Sequence, residues 1–103
     1  MKSEAVSLHE IAPGHIRVNG ELSFATTACL WRASKRLFAK IQGDVVIDLS
    51  GVPRADSAGL ALLVEWLRQA KRQNKRLTLI NFPKQVLAMA QAYGLDVLLS
   101  DHG

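Results

Sequence analysis

The sequence predicts an α/β fold: a single domain with a mixed central β-sheet and helices packed against it, in the order β-β-α-β-α-β-α-β. Three observations lead there. Asp44 to Leu49 reads as an apolar run rich in β-branched residues, the pattern of a strand buried on both faces. Two longer segments, Ala25 to Lys40 and Ser57 to Gln73, carry apolar residues at helical spacing. Pro13-Gly14 lies between two short strand-like segments and predicts a hairpin.

Taken in order, Ala5 to Ile11 alternates loosely, as an edge strand does, and His15 to Val18 supplies its antiparallel partner. In the first helix Leu30, Ala33, Leu37 and Ile41 form the apolar stripe, while Arg32, Lys35, Arg36 and Lys40 make the outer surface basic. Gly43 closes that helix before the buried strand. The second helix sets Leu60, Leu63, Val64 and Leu67 against the sheet. At about 100° per residue, Leu62 and Trp66 point away from the centre of that stripe. They pack beneath a neighbouring helix or belong to a docking surface, since an exposed apolar patch marks a partner site. Lys71, Arg72, Lys75 and Arg76 gather where positive charge complements the helix dipole. Arg76 to Ile80 then reads as a buried strand. Asn81-Phe82-Pro83 starts a third helix with Val86, Met89, Ala90 and Tyr93 on one side and Gly94 at its end, and Leu95 to Leu99 supplies a last strand.

Composition narrows the function. A chain of 103 residues suffices for one core and no second domain. Cys29 is the lone cysteine, so no internal disulfide framework is expected and a reducing compartment fits. No stretch reaches the roughly 20 apolar residues of a membrane span, and the N-terminal residues lack a secretory signal, so a cytoplasmic location is expected. The net charge of +4 is modest, and the basic residues are not interleaved with aromatics, which disfavours nucleic-acid binding.

Enzyme chemistry is hard to place. His9, His15 and His102 lack zinc-site spacing, and the glycines stand singly rather than in a phosphate-binding loop. Asp48 and Asp56 are accounted for as a strand-end residue and a helix cap. No metal, cofactor or catalytic set is expected, and the chain reads as a binding module. The feature that stands out is Asp56-Ser57-Ala58-Gly59 at the start of the second helix. Asp56 can cap the unpaired first N–H groups, leaving the Ser57 hydroxyl exposed where a phosphate or a partner's polar group could meet it.

Val45-Val46-Ile47-Asp48-Leu49-Ser50, the connection to Ala55, and Asp56-Ser57-Ala58-Gly59-Leu60 together resemble the STAS family, named for sulfate transporters and anti-sigma factor antagonists. The resemblance covers nearly the whole chain. Gly20-Glu21-Leu22 is similar to the family's Gly-x-Leu entry to the first helix, with Ser23 where Asp often follows, and Ala58 stands where antagonist members usually have a second Ser. Leu30-Trp31, Asp48-Leu49-Ser50-x-Val52, Gly59-Leu60-Ala61-Leu62-Leu63 and Leu87-Ala88-x-Ala90 before Tyr93 look most like the small stand-alone STAS subunits of bacterial phospholipid ABC transporters.

That resemblance implies a regulatory subunit at the cytoplasmic face of the inner membrane, docked on the transporter's ATPase and through it on the membrane permease, in two copies per transporter. The implied partner-binding residues are Trp31, Asp56, Ser57, Ala58 and Gly59, joined by Leu62 and Trp66 if their off-stripe positions mark the docking surface. From helical spacing alone Trp31 is either a partly buried core residue or an anchor; its match to the family's tryptophan points to the anchor. The alternative is an anti-sigma factor antagonist, in which phosphorylation of Ser57 would repel or unseat a partner without unfolding the domain.

Overall fold

Four strands and three helices follow one another in the predicted order over residues 6–95, the part of the chain that the computed structural model describes. The expected last strand, Leu95 to Leu99, lies almost wholly outside the described residues. β1 (Ser7–Ala12) and β2 (His15–Asn19) form the antiparallel hairpin around Pro13-Gly14, with a register shift between Glu10 and Ala12. β2 then pairs in parallel with β3 (Val45–Gly51), and β3 with β4 (Leu77–Ile80), so the sheet order is β1-β2-β3-β4. Each parallel step needs a crossover. These are α1 (Thr27–Lys40) and α2 (Ser57–Arg72), and α3 (Lys84–Ala92) follows β4 and packs on α2.

Local chemistry sets the boundaries. α1 begins at Thr27 rather than Ala25 because Ser23 to Thr26 form a turn: the amides of Thr26 and Thr27 donate to Ser23 O, and the Ser23 amide donates to Thr26 Oγ1. α2 ends in a Schellman motif, with Lys75 N donating to Ala70 O and Asn74 N to Lys71 O. Asn74 takes the positive φ, 58°, that glycine usually supplies. α3 closes the same way on Gly94 at φ +71°, with Leu95 N bonded to Ala90 O.

The core comprises one face of the sheet and the stripes of the helices. Ile16, Val18, Val45, Ile47, Leu49, Leu77 and Leu79 meet Leu30, Phe38, Leu60, Leu63 and Val86. The expectation that β3 is apolar on both faces holds for only one. Val45, Ile47 and Leu49 are buried in the core, but the opposite face carries half-buried Val46, buried Asp48 and exposed Ser50. Asp48 is accommodated because its Oδ1 accepts from the Asn81 side chain and from Ser50 N, and Arg17 lies 3.6 Å from Oδ2. The Asn81 hydrogen bond leads in drawing the Asp48 pKa down to about 2, followed by the Ser50 N–H.

Trp66 is the clearest correction to the expected docking surface. It is 0% exposed, stacked at a tilt on Phe38 with centroids 6.4 Å apart, and its Nε1 donates to Ser34 Oγ at 2.8 Å. Its angle away from the sheet stripe is explained by α1, which covers that side of α2. Gly59 is likewise buried: a Cβ there would strike Leu22, including its Cβ at 2.7 Å and carbonyl carbon at 2.9 Å. It lets α2 approach the loop before α1, and of the residues expected on the partner surface it is one that the fold turns inward.

Candidate functional site

The site is built where two connecting loops run side by side. Beyond β2 and β3 the chain continues as an irregular parallel ladder: Gly20 N donates to Gly51 O, Leu22 N to Arg54 O and Asp56 N to Leu22 O, with a bridge between Leu22 and Ala55. This brings the residues before α1 beside the start of α2. Asp56 then joins the two loops through one carboxylate. Its Oδ1 accepts from Gly59 N at 3.0 Å as the N-cap of α2, and its Oδ2 accepts from Phe24 N at 3.1 Å. Those two amides, Gly59 first, hold the Asp56 carboxyl below its usual range, so it stays ionised against the helix dipole.

Ser57 follows as the first residue of α2 and is exposed, as expected. Beside it Phe24 is 84% exposed, a large aromatic held in water by a loop whose geometry Asp56 fixes. The spacing pattern did not single out Phe24, because it precedes the helical stripe. Its one signal was an aromatic between Ser23 and Ala25 in an otherwise small and polar connection.

Between the N-terminal halves of α1 and α2 lies an open groove of about 460 Å³, lined by Thr27, Ala28 and Trp31 from α1 and Ala58, Ala61, Leu62 and Glu65 from α2. The α2 residues recur at i, i+3, i+4 and i+7, one face of the helix. Of the residues expected to bind a partner, Trp31, Ala58 and Leu62 converge here. Leu62 is 5% exposed, so most of its surface supports the groove from beneath. Trp31 is half-buried, and Lys35 Nζ stands 5.5 Å from its ring centroid, a cation–π contact that orients the indole edge of the groove. Such a surface offers shape, apolar area and a polar rim. It offers no convergent acid, base and nucleophile, and among the described residues no group of His, Cys, Asp and Glu is gathered to hold a metal ion.

Comparison with known proteins agrees with this architecture. The family model described as "Mlab, STAS domain" matches residues 8–100.

The chain belongs to the STAS domain family.

Among its relatives, the intermembrane phospholipid transport system binding protein MlaB of Haemophilus influenzae is 35% identical over 80 residues, which is 75% of this chain and 76% of that protein. The protein of the same name from Escherichia coli K12 is 35% identical over 85 residues, 81% of this chain and 84% of its own. Solved STAS structures share the fold at lower identity. An anti-sigma factor antagonist from Mycobacterium paratuberculosis superposes with a TM-score of 0.72 at 22% identity, covering 92% of this chain and 81% of that one. The anti-sigma factor antagonist SpoIIAA in its unphosphorylated form gives 0.68 at 20%, covering 89% and 83%. Within the described residues of this STAS domain, no helix is long and apolar enough to cross a membrane.

Proposed function

We propose that this STAS domain is a non-catalytic binding subunit of an intermembrane phospholipid transport system, docking on the cytoplasmic ATPase of its ABC transporter and biasing that ATPase towards its competent dimer. The observation that carries the reading is the α1/α2 groove, an apolar concavity with Trp31 on one wall and Ala58, Ala61 and Leu62 on the other. A half-buried aromatic flanked by small side chains suits an anchor contact, because such residues dominate interface energies and lose little conformational entropy on binding. The MlaB relatives, named as binding proteins of such a system, supply the class of machinery. The protein would work at the cytoplasmic face of the inner membrane, held there through the transporter. A transporter with two ATPase subunits would take two copies.

The test is affinity purification of the tagged chain from its native host in mild detergent, with mass spectrometry of what is retained. An ABC ATPase with its permease is expected, and Ser57→Glu should release both by placing charge beside Ala58 of the groove. Trp31→Ala should weaken association by more than ~1 kcal/mol. Recovery of a soluble serine kinase, with phosphate on Ser57, would overturn this reading in favour of an anti-sigma factor antagonist.

A further inference from the structure

The C-terminal ends of α1 and α2, beyond the residues that line the groove, carry a charge pattern of their own. The C-termini of α1 and α2 are drawn together by Lys75, whose Nζ donates to Phe38 O at 2.6 Å and Ile41 O at 2.7 Å. Along those helix ends Arg36 and Lys40 on α1 and Lys71 and Arg72 on α2 are exposed; Lys35 and Arg68, also exposed, are engaged with groove residues, Lys35 over the Trp31 ring and Arg68 with Glu65. Among the described residues, Glu65 pairs with Arg68 at 3.6 Å and Asp44 accepts from the Arg76 amide at 3.1 Å. Arg36, Lys40, Lys71, Arg72, Lys75 and Arg76 against Asp44 leave these helix ends strongly positive.

Helix dipoles account for only part of this. They favour cations in the last turn, which covers Lys40, Lys71 and Arg72. Lys35, Arg36 and Arg68 lie earlier, where the dipole has little effect. The large exposed apolar residues, Ile11, Phe24, Leu87 and Tyr93, belong to other parts of the fold, so the patch lacks the buried anchor that a protein interface uses. It is also broad. α1 and α2 lie side by side, so these cations span two helices. A cationic helix pair whose C-terminal halves carry no exposed aromatic platform matches an array of phosphates better than a single strand's bases.

We propose that the joined C-terminal halves of α1 and α2 form a peripheral contact for an anionic phospholipid surface, separate from the groove and independent of what docks there. Binding is electrostatic, reversible and without insertion.

Co-sedimentation with vesicles of phosphatidylglycerol and phosphatidylethanolamine, against phosphatidylcholine vesicles, tests it with the purified chain. Binding is expected on the anionic vesicles only, falling steeply as salt shortens the Debye length. Removing charge should weaken it about fivefold per side chain, hence on the order of a hundredfold for Arg36→Gln, Lys40→Gln and Lys71→Gln together. Circular dichroism confirms that the triple variant is folded, and the salt titration of the unaltered protein stands without it. Trp31→Ala should bind vesicles normally even where it loses the ATPase, which separates this contact from groove docking. Equal binding to phosphatidylcholine, indifference to salt or to the triple substitution, or tighter binding to duplex DNA at matched phosphate concentration would each overturn the proposal.

Discussion

Removing the Ser34 hydroxyl should destabilise this protein far more than a Ser→Ala change usually does. Ser34 is 1% exposed and stands between two tryptophans: its Oγ accepts from Trp66 Nε1 at 2.8 Å and donates to Trp31 O at 2.7 Å. In Ser34→Ala the indole N–H of Trp66, itself 0% exposed, has no water to turn to. An orphaned buried donor of this kind costs about 1–3 kcal/mol. For a domain this small each kcal/mol lowers Tm by about 4–8 °C. Trp66→Phe removes the donor instead and leaves a modest cavity, so it should cost less than the ~3–5 kcal/mol of truncation to Ala. The decisive quantity is the double-mutant cycle. With Phe at 66, Ser34→Ala orphans nothing, and the coupling should be about 1–2 kcal/mol. Urea titrations of the four proteins, compared at constant m, measure it. A Ser34→Ala protein within about 0.5 kcal/mol of the parent, or an additive cycle, would refute the reasoning.

Gly59→Ala sets about 1 kcal/mol of gained helix propensity against an overpacking penalty of about 1–3 kcal/mol where the new methyl meets Leu22, and a net loss is expected in the same titrations. A more stable variant would show that the α2 approach is not tight. Asp48 has a folded pKa of about 2 against an ordinary 3.8, so its ionised form stabilises the fold above about pH 3.8 and that contribution disappears as pH falls through about 2. Asp48→Asn should thus fall below the parent by on the order of 1–2 kcal/mol at neutral pH and converge with it near pH 2; a gap independent of pH would remove the ionic explanation. Phe24→Ala should leave the urea midpoint unchanged within about 0.5 kcal/mol, because the ring is 84% exposed, yet weaken capture of the ATPase by more than ~1 kcal/mol. Intact capture would confine the interface to the groove proper.

Element order, the Pro13-Gly14 hairpin and the Asp56 cap were readable in the sequence because each depends on neighbours within a few residues. Periodicity, turn chemistry and capping are local signals. The second face of β3 was not readable, because Asp48 is held by Asn81 and Arg17 from other strands and loops, and nothing near Asp48 announces them. Asn74 closes α2 in the left-handed conformation without a glycine to mark the position, so composition there signals only charge. Phe24 escaped for a different reason. Its exposure follows from a hydrogen bond to Asp56, 32 residues away, that holds its loop in place.

The two tryptophans show why the site itself was only half readable. A helix that packs on a sheet has one buried stripe, but α2 also packs on α1, so it has a second, and residues on that second stripe look misplaced when only the first is considered. Trp66 and Leu62 both lie there. What separates them is what α1 sets opposite. In its C-terminal half α1 presents Ser34 and Phe38, and the seam closes over Trp66. In its N-terminal half it presents Thr27 and Ala28 to Ala58 and Ala61, and four small side chains cannot fill the same gap. The groove is the unfilled half of one interhelical seam, in the N-terminal halves of α1 and α2. Filling it from the α1 side, with Ala28→Leu, should therefore leave the sheet and the closed half intact while blocking the proposed ATPase contact, and the change would register in capture of that proposed partner before it registers in stability.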